Sequence, residues 1–161
     1  MSDYTDSEEL VQESAETLNS EKFLIFSILG KLYSFPSRLI GEIALFDKVF
    51  PLPLMPSYVL GVVNRYSAPY ALFDIGLLFQ KTPSPHNKII ILKEEIDRVA
   101  FLIDDVAGIA DIQSSDLFAI ERNPDSVDLP DIICSSFKWE NNDVFVIDAN
   151  RIMGRVSKEL A

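Results

Sequence analysis

Short runs of apolar and β-branched residues, separated by turn residues at close intervals, fill the chain from Lys22 onward. This pattern is typical of β-strands joined by tight turns. Residues 99–106 are mostly apolar, which predicts a central strand that is buried on both faces. Gly30 separates two apolar runs, residues 23–29 and 31–35, and therefore predicts a tight hairpin.

Two more hairpins are predicted where a polar turn separates apolar runs. Residues 88–93 and 98–111 flank one such turn, and residues 132–139 and 144–147 flank the other. The pattern therefore predicts at least three hairpins.

The remaining segments add strands and one helix. Residues 58–66 and 69–78 are rich in β-branched and aromatic residues, which predicts two strands. Before them, three prolines among residues 51–56 exclude a regular central strand or helix. Near the C-terminus, Asp148 is placed to cap a final helix over residues 149–160, because its carboxylate accepts hydrogen bonds from free backbone N–H groups.

Many short strands and few helices predict a mainly β fold. The strands divide near residue 83, with a hairpin-rich group on each side of the polar loop at residues 81–87. We therefore predict two small β-barrels packed together with a C-terminal helix. The folded domain is expected to span residues 22–161, with the switch between the two barrels near residues 80–90.

Charge is concentrated at the N-terminus. The chain has 161 residues with 14 Lys and Arg against 25 Asp and Glu, which gives a net charge of -11. Seven of those acids lie among residues 1–21, where there is no Lys or Arg. We predict that residues 1–21 are a flexible acidic tail, either a solvated leader or a docking arm. The acidic balance excludes binding to nucleic acid through clustered Lys and Arg.

Cys134 is the only cysteine, so no disulfide can form within the chain, which fits a reducing cytosol. It lies in an apolar run and is expected to be a buried structural residue. No apolar run approaches the roughly 20 residues of a membrane-spanning helix. The N-terminus also lacks the basic and apolar parts of a signal peptide. The sequence therefore predicts a cytoplasmic protein without membrane insertion.

Catalytic chemistry has little support in the sequence. His86 is the only histidine, and with one cysteine beside it the chain cannot assemble a usual zinc site from nitrogen and sulfur ligands. No phosphate-binding or dinucleotide-binding glycine motif is present. The sequence therefore predicts no metal, no cofactor and no catalytic residue.

Seven segments, taken in order, resemble those of the CheW family, the coupling proteins of bacterial chemotaxis. The resemblance covers about residues 22–160. The matching segments are residues 23–26 with 32–35 (an opening strand pair), 40–43 (V-x-E-I), 52–56 (a proline-marked loop), 61–64 (the start of G-V-I-N-L-R-G), 72–75 (V-I-D-L), 101–104 (a V-V-D strand) and 145–148 (L-L-D-L).

One departure from the family pattern concerns the partner surface. After Asn64 the family usually has Leu-Arg-Gly, whereas this chain has Arg65, Tyr66 and Ser67. In an extended strand an offset of one residue turns a side chain to the opposite face. Arg65 therefore cannot replace the missing Arg unless a turn intervenes, and Glu42, the acid of the V-x-E-I segment, is otherwise expected to lack its usual cation.

The resemblance implies a non-catalytic adaptor that joins the cytoplasmic tip of a chemoreceptor to the regulatory domain of the histidine kinase CheA. It also implies two SH3-like barrels with an apolar groove between them, and recruitment from the cytoplasm to membrane receptor arrays. The predicted partner-binding residues are Glu42, Gly61, Asn64, Arg65 and Tyr66. The candidates for this groove, or alternatively for the core, are Val49, Phe50, Leu52, Leu54, Met55 and Tyr58.

Other functions stay open at the level of the sequence. A divergent CheW-like scaffold could serve a chemosensory system that does not control flagella, or bind receptors without the kinase. A different class is a β-barrel that binds a small ligand, or an enzyme that uses carboxylates such as Glu42 and Asp104. A deep pocket with convergent polar groups would favour that class. A filled interior with an apolar surface groove would favour the adaptor.

Overall fold

The computed structural model describes residues 19–93, 97–120 and 131–160, which form two β-sheets and a C-terminal helix. The strands are β1 (Ser20–Ile28), β2 (Lys31–Pro36), β3 (Ile40–Leu45), β4 (Val59–Arg65), β5 (Ala68–Phe73), β6 (Lys88–Leu92), β7 (Val99–Ile103), β8 (Asp105–Gln113), β9 (Phe118–Ala119), β10 (Ile133–Trp139) and β11 (Asn142–Ile147). The helices are α1 (Ile75–Phe79) and α2 (Ala149–Leu160). None of the helices in the described part of the chain is long and apolar enough to cross a membrane.

The strands divide into a six-stranded sheet, ordered β8-β1-β2-β11-β10-β9, and a five-stranded sheet, ordered β3-β6-β7-β5-β4. All neighbours are antiparallel except the pairs β2–β11 and β5–β7, which are parallel. The outer strand β8 of the larger sheet approaches β10, since a Cβ on Gly108 of β8 would lie only 2.9 Å from the ring of Trp139 at the end of β10.

Alternating side chains produce three apolar cores. Each sheet has a core of its own, and a third core lies between the sheets. In β1, Phe23 and Ile25 face the core of the six-stranded sheet, whereas Phe26 and Ile28 face the shared core. This division follows from the period of two along a strand. The shared core also receives Ile152 and Val156 of α2.

The structure confirms several sequence predictions. All five residues of β7 are buried, as the apolar run predicted. The hairpin at Gly30 forms between β1 and β2, and β10 pairs with β11 as expected. The C-terminal helix begins after Asp148, whose Oδ1 accepts a hydrogen bond from the backbone N–H of Asn150 at 3.0 Å.

The predicted division of the chain near residues 80–90 is wrong. The chain passes from the six-stranded to the five-stranded sheet at Ser37–Leu39, and it returns at Asp104. Residues 80–87 connect α1 to β6 inside the five-stranded unit, and residues 88–90 already belong to β6. The cause is long-range pairing of the first hairpin with β8 and β11, which local periodicity does not encode.

The strand predicted over residues 69–78 ends early, at Phe73. Asp74 then starts α1: its buried carboxylate accepts from the backbone N–H of Leu77 at 3.4 Å and of Ser84 at 3.0 Å. Residues 1–18 of the predicted acidic tail lie outside the described residues. The last two residues of that predicted tail, Ser20 and Glu21, begin β1 instead.

Candidate functional site

The five-stranded sheet closes where its two outer strands, β3 and β4, come together. The segment between them forms one isolated bridge, in which the backbones of Phe50 and Val62 exchange two hydrogen bonds of 2.8 Å. At the end of β4, Arg65 donates from Nε to Glu42 Oε2 at 3.2 Å and from Nη2 to Glu42 Oε1. We call this line of closure the seam.

The structure therefore brings Glu42 and Arg65 together, so Arg65 takes the place of the missing Arg, which the sequence allowed only if a turn intervened. The reason is the turn that follows β4 directly. Tyr66 and Ser67 occupy its two central positions with φ of +49° and +62°, and Arg65 pairs with Ala68 across the hairpin. Positive φ at both positions matches the twist of the flanking strands.

At the seam, the negative charge of Glu42 and the positive charge of Arg65 balance each other. Arg65 holds the pKa of the Glu42 carboxyl below its usual range through hydrogen bonding, and the same bond raises the pKa of Arg65. Tyr66 lies over the pair, with its hydroxyl 3.5 Å from Glu42 Oε1 and its ring centroid 4.9 Å from the Arg65 guanidinium carbon. Glu42, Arg65 and Tyr66 thus form one contiguous cluster.

Gly61 is buried under the segment that covers the seam. Its φ is +143°, and a Cβ at this position would lie 2.2 Å from the Phe50 carbonyl oxygen. Only glycine fits this close backbone approach without a shift of the covering segment. Asn64 is exposed at the same end of β4, and its side-chain amide has no hydrogen bond within the described residues.

The six predicted groove residues separate into two groups. Tyr58 is buried in the shared core, where its hydroxyl donates to Glu159 Oε2 at 2.8 Å, and Val49 packs against the core of the five-stranded sheet. The other four are exposed: Phe50, Leu52, Leu54 and Met55.

Sequence reasoning missed two apolar residues at the seam. Ile43 and Leu45 lie on the outer face of β3 and are also exposed. Their spacing of two, the period of a strand, is the signal that could have identified them. We call the six exposed side chains the seam surface: Ile43, Leu45, Phe50, Leu52, Leu54 and Met55.

A cavity of about 240 Å³ opens at the seam, and Leu45 and Phe50 both line it. Its volume is below the roughly 300–1,000 Å³ typical of small-molecule sites. A second cavity of about 370 Å³ lies at the N-terminus of α2, beside Arg38 and Asp148. Arg38 pairs with Glu21 at 2.7 Å and Asp148 with Arg151 at 3.6 Å, so these charges are already matched within the chain.

The two carboxylates considered for catalysis have separate partners. Asp104 Oδ2 accepts from the backbone N–H of Leu29 at 2.7 Å, and its Oδ1 lies near the side chains of Ser84 and His86. Glu42 contacts Arg65 and Tyr66 instead. Asp104 therefore fixes the turn after β1 and shares no contact with Glu42. The described residues contain no group of three or more His, Cys, Asp or Glu arranged to hold a metal ion.

Comparison with known proteins agrees with this architecture. The CheW-like domain family matches residues 22–157 of the chain. The chemotaxis protein CheW of Bacillus subtilis (strain 168) is 25% identical over 153 residues, which cover 92% of this chain and 96% of that protein. The crystal structure of the scaffolding protein TtCheW from Thermoanaerobacter tengcongensis matches with a TM-score of 0.69 at 16% identity, covering 80% of this chain and 88% of that one.

The structural likeness concerns the fold, and it confirms the predicted mainly β architecture of two small SH3-like subdomains with a C-terminal helix. The family match spans most of the folded part, including the seam and both sheets. This chain therefore belongs to the CheW-like domain family.

Proposed function

We propose that the protein is a non-catalytic adaptor that couples chemoreceptors to a CheA-type histidine kinase. The observation that carries this proposal is the seam surface, six large apolar side chains that are exposed on β3 and on the segment between β3 and β4. Contiguous exposed apolar patches mark protein interaction sites. The relatives named chemotaxis protein and scaffolding protein agree with such a role.

The proposed mechanism is conformational coupling through simultaneous contacts. The predicted partners are the regulatory domain of the kinase and the cytoplasmic tip of a receptor, which would recruit the adaptor to membrane arrays. A specific contact needs on the order of 1,000 Å² of buried surface. The Glu42–Arg65 pair and the exposed ring of Tyr66 would contribute a polar border to the apolar centre, as protein interfaces commonly have.

The test compares two exposed apolar residues in the two sheets. Leu45 of β3 is 61% exposed and Ile109 of β8 is 64% exposed, so their substitution by Ser removes similar surface. We expect Leu45→Ser to weaken binding about tenfold, the loss of one well-buried apolar contact. The measurement is calorimetric titration against the kinase regulatory domain and against a receptor tip fragment, each alone.

Ile109→Ser is the matched control and should bind with wild-type affinity in the titration that Leu45→Ser weakens. If Leu45→Ser binds both partners as tightly as the wild type, the seam surface is not the docking site. Binding of the receptor fragment without the kinase domain would instead favour the divergent scaffold. One observation favours that alternative: Tyr66, 82% exposed, stands where the family usually has Arg.

A further inference from the structure

The cavity at the seam has an apolar floor and a charged rim. Val63 and Ile89, both almost fully buried, and the partly buried Phe46 line the floor. The cavity thus reaches the core of the five-stranded sheet through the gap between β3 and β4. Its volume of about 240 Å³ suits one large apolar side chain rather than a cofactor-sized molecule.

Of the two cations that line the cavity, only Lys48 keeps an unmatched charge. Arg65 is paired with Glu42. Within the described residues, no carboxylate lies within 4.0 Å of Lys48 Nζ, since the ion pairs found there involve other residues.

The position of Lys48 is set by an aromatic ring. Its Nζ lies 4.9 Å from the centroid of the Phe50 ring, which holds the ammonium group at the apolar edge of the cavity. Asp47 also lines the cavity, and no comparable contact fixes its exposed carboxylate there. A group that combines an apolar body with a carboxylate matches both the floor and this rim.

We propose that this cavity receives a bulky apolar side chain from a partner segment, and that Lys48 pairs with a carboxylate next to that side chain. The inference that the segment comes from a partner protein rests on the proposed adaptor function, because Leu45 and Phe50 belong both to the cavity and to the seam surface. The chemistry of the occupant rests on the cavity alone. Lys48 then gives the cavity its specificity for a carboxylate, and the negative charge of Asp47 opposes the binding of that carboxylate.

The experiment uses small probes, so that it does not depend on any partner protein. The ¹⁵N-labelled full chain is titrated with 3-phenylpropionate, with 3-phenylpropylamine (the same ring carrying a cation) and with acetate (the carboxylate without a ring). We expect saturable amide shifts at residues 46–50 and 63–65 with 3-phenylpropionate only. Equal responses to the acid and the amine, shifts elsewhere, or no saturable shift would overturn the proposal.

Two neighbouring variants give effects of opposite sign. Lys48→Met should weaken the binding of 3-phenylpropionate about fivefold, the size of one exposed charge pair, whereas Asp47→Asn should strengthen it. The amide spectrum of each variant reports whether the fold is intact. If Lys48→Met binds the probe as well as the wild type, the assignment to Lys48 is wrong.

The source of the occupant is tested separately. If the wild type binds the kinase regulatory domain or the receptor fragment, Lys48→Met should weaken one of these complexes about fivefold. Unchanged affinity for a partner that Leu45→Ser weakens would show that the partner segment does not enter the cavity. Failure of both partners to bind the wild type would count against the adaptor function, while the probe titration still decides the chemistry of the cavity.

Discussion

Gly61 is the residue on which the closure of the seam depends most directly. Its φ of +143° lies in the region that favours glycine, and a Cβ would come within 2.2 Å of the Phe50 carbonyl oxygen. We therefore expect Gly61→Ala to lower the free energy of unfolding by on the order of 3 kcal/mol or more, because backbone must move. Urea unfolding followed by circular dichroism measures the change.

Gly154 is the matched control. It lies inside α2, and a Cβ there would meet nothing within 4 Å. Gly154→Ala should raise the free energy of unfolding by about 0.5–1 kcal/mol, because glycine is a poor residue within a helix. A Gly61→Ala variant as stable as the wild type would show that the backbone contact with Phe50 does not constrain this position.

At the same scale, the sequence predicted the identity of the clustered residues better than their contacts. Glu42, Arg65 and Tyr66 were predicted from motif spacing, and their side chains lie in contact, whereas Gly61 packs against the Phe50 backbone. The pairing of Glu42 with Arg65 was left conditional on a turn, and the turn that forms at Tyr66 and Ser67 lacks the usual Asn-Gly signal that would have predicted it. Tyr58 was left open between groove and core, because an aromatic residue beside prolines suits both, and it lies in the shared core.

The attachment of α2 is a property of elements rather than single residues. Tyr58 precedes β4, and its hydroxyl donates to Glu159 Oε2 near the end of α2 at 2.8 Å. Arg155, one turn earlier, pairs with Glu159 and with Asp131, both at 3.2 Å. The helix is thereby linked to the five-stranded sheet by a buried tyrosine and a small charge network. Burial, with a smaller effect of Glu159, raises the pKa of Tyr58 to about 12.

This pKa predicts the stability of the protein at alkaline pH. The unfolded tyrosine loses its proton near pH 10, whereas folded Tyr58 retains it to about pH 12. The folded state therefore binds more protons in this window, and stability falls as the pH rises through it. Tyr58→Phe should remove this part of the decline, at the cost of one hydrogen bond at neutral pH.

The measurement is urea unfolding of wild type and variant at several pH values between about 9 and 12. Glu159→Gln provides an intermediate case, since it removes the carboxylate charge and retains an acceptor for the Tyr58 hydroxyl. An equally steep alkaline decline in wild type and Tyr58→Phe would contradict the assignment.

Among the elements, the sequence predicted those that are long enough to show a period or that carry their own turn or capping residues. The hairpin at Gly30 and helix α2, with its cap at Asp148, were both predicted because each carries its own turn or capping residues. Helix α1 was missed because it has only five residues, too few to show a helical period, and its cap Asp74 follows an apolar strand.

At the scale of the whole molecule, composition and periodicity predicted two small β units but not the path of the chain between them. The six-stranded sheet combines β1 and β2 with strands that begin some seventy residues after them, at Asp105. The parallel contact of β2 with β11 closes this long loop. Such a pairing is specified by complementary packing in the folded state, which a single sequence does not display as a local pattern.

The interleaved path, together with the shared core, predicts that the two sheets unfold as one unit. Phe101 of β7 is buried in the shared core, with ring centroids 5.0 Å from Phe35 of the other sheet and 5.5 Å from Phe73 of its own. Phe101→Ala should cost about 3–5 kcal/mol, as for other buried aromatic residues. Trp139 is the only tryptophan and lies in the six-stranded sheet, so its fluorescence reports on the sheet that does not contain the substitution.

Phe101→Ala should therefore shift the urea midpoint of Trp139 fluorescence by the same amount as the midpoint of circular dichroism, because one cooperative transition moves both. Phe118→Ala is the control, since Phe118 is exposed at a sheet edge and its removal should leave both midpoints in place. If Phe101→Ala lowered the circular dichroism midpoint while Trp139 fluorescence kept its wild-type midpoint, the sheets would be independent. A partner bound at the seam could then influence the six-stranded sheet only by direct contact, whereas a single cooperative unit allows the shared core to carry the effect from one sheet to the other.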